Sequence, residues 1–172
     1  MGTPAFAAWA FLAAALPISL YVSWSDMKSM KIPNIAVYAL VGAFVILGAL
    51  TLPLPDYLWR FSHLAVVLAI GVVLNAVRLV GAGDAKFAAA AAPYIAVSDG
   101  QAMILIYIGC FLGCYAVHRI AKFTPLRKLA PDWQSWDAGK RFPMGFALGT
   151  TLVVYLLICA NPSMFPGLLP AN

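Results

Sequence analysis

The chain reads as an all-α, polytopic membrane protein with six transmembrane helices, and three features of the sequence say so. It is 63% hydrophobic and 10% charged, with a mean hydropathy of +0.90; soluble domains run at about 45–50% apolar and 25% charged. Its 172 residues suffice for about six spans of roughly 20 residues with short connections. Of the 11 Lys and Arg, all but Arg60 fall in the first, third and fifth connections between those spans. Basic loops stay on the cytoplasmic side, so both chain ends are expected on the outer, non-cytoplasmic side of the cell's inner membrane. The net charge of +5 then orients the chain in its bilayer, and no nucleic-acid partner is expected. Residues 1–172 are expected to form a single membrane-embedded domain.

The spans follow in order. Residues 4–24 lack the basic start and small-residue cleavage site of a removable signal, so they form a permanent first span. Pro17 inside it is tolerable where neighbouring helices cover the freed backbone. Pro33 and Asn34 open the second span, 35–52, where a proline loses no helical hydrogen bond. The third span is 61–79, with Arg60 in the connection before it. The fourth, 85–98, measures only about 21 Å as a helix, against about 30 Å of hydrocarbon. Either the bilayer thins there, or the helix begins below the cytoplasmic surface with a glycine hinge inside. Were it to turn back, the most basic connection, 122–142, would land outside, so it is expected to cross. Residues 101–121 and 143–161 complete the set, and 161–172 read as a short non-helical end. In the long connection, Trp133 and Trp136 sit among basic residues as a lipid-contacting surface would. Cys110, Cys114 and Cys159 lie in apolar runs as small packing residues, with no metal site, and His63 and His118 read as interface residues.

The chemistry concentrates in Val80-Gly81-Ala82-Gly83-Asp84-Ala85-Lys86. A carboxylate at bilayer depth is costly to keep and points to function, and glycines let another chain approach because no Cβ intervenes. There is no glutamate; the acids are Asp26, Asp56, Asp84, Asp99, Asp132 and Asp137. Asp26 ends the first span and Asp84 opens the fourth, both on the cytoplasmic side, so helix packing could bring them together. Facing carboxylates cannot both ionise readily and share a proton. A water held between them can be deprotonated by one while the other protonates or polarises a peptide carbonyl. Asp56 and Asp99 fall on the outer side, and Asp132 and Asp137 read as solvated loop charges.

Three elements in this order resemble one family. Gly81-Ala82-Gly83-Asp84 matches the GxGD signature of intramembrane aspartyl proteases. Asp26 through Asn34, with Lys28, Lys31, Ile32 and Pro33, is similar to the D-x-(K/R)-x-x-(K/R)-I-P-N element of type IV prepilin peptidases. Pro143-Met144-Gly145-Phe146-Ala147 is similar to their P-x-G-x-A segment. The resemblance spans nearly the whole chain. It implies Asp26 and Asp84 as the catalytic pair of an aspartic-type endopeptidase, with no metal or organic cofactor. It further implies a prepilin-like substrate, cut after a short basic leader ending in glycine, beside pilus or secretion assembly components. Gly81 and Gly83 would admit the substrate strand. Lys86 would orient Asp84 or hold its loop, or else serve as one more orientation-setting charge. Bifunctional members carry paired CxxC motifs in a large first loop and also methylate; here that loop is short and has no cysteine. The short form resembles the peptidases of tight-adherence (Flp-type) pilus systems, or related archaeal peptidases of pilins and archaellins. Two other readings compete: a proton-coupled transporter using the same two carboxylates, and a non-catalytic partner in pilus or secretion assembly with the same fold.

Overall fold

The computed structural model describes residues 2–139 and 141–165. Lys140 and residues 166–172, part of the expected tail, lie outside them. Among the described residues there are six α-helices and no strand: α1 (Ala5–Ser29), α2 (Asn34–Thr51), α3 (Leu54–Ala76), α4 (Ala82–Ala91), α5 (Gly100–Phe123) and α6 (Met144–Ala160). Three of these (α1, α2 and α3) are long and apolar enough to cross a membrane; α5 with the 3-10 turn before it is a fourth, and α6 is a shorter apolar helix.

Contacts define two ends of the bundle. At one end, Thr3 meets Tyr155 near the close of α6, and Arg60 of α3 reaches Tyr94 just after α4. At the other, Asp26 of α1 meets Gly145 of α6, and Ile32 before α2 lies against Gly83 of α4. Each successive element therefore runs from one end to the other.

The core is built from α1 and α6 packed along most of their length. Small residues allow the close approach: a Cβ on Gly149 would lie 3.0 Å from the Ser19 carbonyl oxygen, the kind of contact by which helices associate in lipid. Phe11, Phe44 and Tyr94 form an aromatic cluster, with Tyr94 edge-on to Phe11 at 5.0 Å. Outside this core, large apolar side chains such as Leu50, Leu58 and Leu105 stand exposed, as they must on a surface facing hydrocarbon.

Four expectations are corrected. First, α1 continues to Ser29, so Asp26 lies inside its last turns. The helix stops at Met30, whose left-handed backbone (φ 53°, ψ 37°) returns its N–H to the Asp26 carbonyl. Second, α4 begins at Ala82 and lasts ten residues, about 15 Å. Pro93 lacks an N–H to continue the ladder, and two 3-10 turns, Ala92–Tyr94 and Val97–Asp99, complete the passage. Third, α3 begins at Leu54, so Arg60 is a buried helix residue and no loop charge. Fourth, Trp136 is buried, stacked on His118 and Trp133, with its indole N–H on the Ala130 carbonyl. His118 is itself fully buried in that stack.

Candidate active site

Asp26 and Asp84 line one cavity of about 710 Å³ at the end of the bundle where α1 stops and α4 starts. Asp26 is 5% exposed, and Asp84 is half-buried.

Local sequence positions each group. Near the end of α1, Ser29 donates its hydroxyl to the Ser25 carbonyl. Ser25 donates its own to the carbonyl of Lys31 (3.0 Å), which ties the turn after the helix back onto it. That turn sets Ile32 against both glycine-bearing helix starts: Ile32 Cβ lies 3.3 Å from where a Gly83 Cβ would be, and its Cδ1 3.1 Å from a Gly145 Cβ. The backbone N–H of Gly145 donates to Asp26 Oδ2 at 2.7 Å. This N–H belongs to the first turn of α6, where backbone donors have no intrahelical acceptor and the helix end favours negative charge. A side chain at Gly145 would sit 3.0 Å from that same oxygen. Gly145 thus supplies a donor and leaves the space its acceptor needs.

Asp84 occupies the first turn of α4, capped by Gly81. Its carboxylate folds back over the backbone there, since a Cβ on Gly81 would fall 2.6 Å from Oδ2. The preceding segment is held by Asn75, whose side-chain amide donates to the Val80 carbonyl at 2.9 Å. Arg78 within it takes a left-handed conformation (φ 60°), unusual for a side chain of that size.

The other expected site residues divide. Lys31, Gly81 and Gly83 line the cavity. Pro33 and Pro143 are the residues immediately before α2 and α6, and they set where those helices start. Lys28 points away, its ammonium 4.8 Å from the Trp24 ring. Lys86 is exposed and donates to Asn34 Oδ1 at 3.3 Å, tying α4 to the start of α2 on a face away from the pair.

The structure adds residues that sequence reading passed over. Arg78, Arg141 and Phe142 also line the cavity. At the opposite end, Arg60 donates to the Pro93 and Tyr94 carbonyls and to Thr3. Tyr155 there donates to Asp99, which is 1% exposed. Asp99, expected only to fall on the outer side, is a buried, bonded group. The signal was present: Arg60 is the single basic residue on the charge-poor side.

A cavity holding two carboxyl groups and open to water can position a solvent molecule between an acid and a base, the requirement for general acid–base hydrolysis. The model of the type IV leader peptidase family matches residues 9–117, which include both aspartates. No curated protein and no solved structure matches the chain significantly.

Proposed function

Because the chain belongs to the type IV leader peptidase family, matched over more than half its length, we propose that it is an aspartic-type endopeptidase. It removes the leader of prepilin-like membrane precursors, using Asp26, Asp84 and a water molecule. The observation that carries this reading is the shared cavity, with Asp26 held by the Gly145 N–H. One carboxyl enters ionised and the other protonated. The ionised group takes a proton from water as its oxygen attacks the scissile carbonyl. The protonated group supports the developing oxyanion. Collapse expels the amine of the mature protein, which leaves with a proton from the pair. The family's precursors are prepilin-type; a basic leader ending in glycine and a following apolar helix are the substrate features proposed here. The chemistry calls on no metal or organic cofactor.

All six helical passes cross the bilayer in this reading, as one domain in the inner membrane. The basic residues at the aspartate end put the cavity on the cytoplasmic side. The short passage of α4 sinks Asp84 toward the membrane interior while keeping it within reach of water.

Co-expression with a candidate precursor tests this. The wild-type chain is expected to shift the precursor to its shorter form, and Asp26→Asn and Asp84→Asn are each expected to abolish the shift while inserting normally. Undiminished cleavage by either variant would remove that carboxylate from the mechanism.

A further inference from the structure

Among the described residues, α5 supplies none to the lining of the catalytic cavity, yet it holds one that does. Phe142 lines that cavity and stands three residues before Gly145 in the chain. Its ring meets three rings of α5: Phe111 edge-on at 5.5 Å, Tyr115 tilted at 5.6 Å and His118 edge-on at 5.6 Å. These three follow one another at spacings of four and three residues, so they share one face of the helix. Edge-on rings at such separations are the favoured aromatic geometry. His118 is fully buried and stacks on Trp136 at 5.2 Å. Neither of its ring nitrogens has a hydrogen-bond partner among the described residues, so the imidazole serves this contact as a ring. A second tie lies one turn further along α6, where Cys114 donates its thiol to the Phe146 carbonyl at 4.0 Å.

We propose that Phe142 is a positioning residue: the α5 rings hold it, and it holds the first turn of α6 where the Gly145 N–H meets Asp26. Its effect on rate rests on the peptidase reading above, to which it adds the part played by α5. The chain between Phe142 and Gly145 has little slack. The ring of Pro143 fixes its φ, here −69°, and restricts the residue before it. The Phe146 N–H donates to the Pro143 carbonyl at 3.3 Å, closing the first turn. A shift of the Phe142 ring therefore passes on to Gly145 instead of being absorbed between them. Gly145 cannot be anchored by a side chain of its own, since a Cβ there would lie 3.0 Å from Asp26 Oδ2. Its donor has to be placed by its neighbours, and Phe142 is the neighbour gripped by another helix.

Two readouts decide the matter. With a model precursor, Phe142→Ala is expected to lower kcat about tenfold with KM unchanged, because reacting groups tolerate little misplacement. Phe142→Tyr, which keeps the ring, is expected to recover most of that loss. Phe111→Ala, at a residue outside the cavity lining, is expected to lower kcat about threefold and to add nothing on top of Phe142→Ala, since both act through one contact. A rise in KM that varies with the residue beside the cut would make Phe142 a substrate contact, and losses that multiply would put the α5 rings to another use; either overturns the proposal. Hydrogen exchange in detergent gives a readout free of activity. In Phe142→Ala, amide exchange over residues 144–146 is expected to quicken about tenfold, while residues 149–155 exchange as in wild type. Exchange quickened equally along α6, or at neither segment, would also overturn it. Phe142→Leu, which keeps bulk without the ring, takes both measurements in place of the alanine variant should that fail to insert. If the wild-type chain cut no precursor, the peptidase reading would fall, and exchange would still decide whether Phe142 places the Gly145 amide.

Discussion

Gly145 illustrates how a residue without a side chain can govern a reactive group. Its N–H holds Asp26 Oδ2, and its open side leaves that carboxylate room. Gly145→Ala keeps the donor and adds a methyl 3.0 Å from the oxygen, so Asp26 must move by a few tenths of an ångström. Cleavage is expected to fall about tenfold or more, because reacting groups tolerate little misplacement. Steady-state rates on a model precursor, set beside the thermal midpoint in detergent, check that the loss lies in kcat and not in folding. Asp26, Asp84 and Gly145 were all legible in the chain, because the residues around them form motifs. The hydrogen bond between Gly145 and Asp26 was not, since it joins positions that only the packing of α1 on α6 makes neighbours.

At the scale of elements, the bundle depends on how closely α1 and α6 approach. Gly149 sits where any side chain would press on the Ser19 carbonyl at 3.0 Å and the Ser23 hydroxyl at 3.1 Å. Backbone cannot yield as a flexible side chain can, so Gly149→Leu is expected to destabilise the fold by about 1–3 kcal/mol. Unfolding in detergent measures this, and a variant as stable as wild type would show the two helices to be free to separate. α4 gives the complementary lesson. Its unusual shortness is visible from its sequence, but where it starts is not. Gly81, Ala82 and Gly83 suit a hinge by propensity, yet with Gly83 packed on Ile32 and Ala85 on Gly71 they form the cap and first turn of a helix. Pro93 was the available sign of its end.

Across the whole molecule, two poles of polar chemistry are separated by an apolar middle. The pole opposite the aspartates ties three elements together through Arg60, which gives hydrogen bonds to two carbonyls after α4 and to Thr3 before α1. Arg60→Met removes the charged donor and strands the Pro93 carbonyl, while the Tyr94 carbonyl keeps the Thr3 hydroxyl; the expected cost is about 1.5–3 kcal/mol, the range for a bond to a charged group. Chemical denaturation reads the loss. Orientation is tested on the same scale: in intact cells, Lys28→Cys is expected to resist an impermeant thiol reagent that labels Asp56→Cys, and the reverse pattern would invert the topology.

By itself the sequence determined the all-α membrane class, the number of α-helices and the identity of the two candidate carboxylates. Hydropathy, loop charge and short motifs are properties of contiguous residues, and they survive without a fold. The tertiary structure alone decided that Asp26 and Asp84 open onto one cavity, that Arg60 and Asp99 are buried, and that three rings of α5 meet Phe142. Each of these is a relation between residues distant in the chain, set by which helix faces interlock, and in a bilayer that choice turns on small residues and polar pairs that leave hydropathy unchanged.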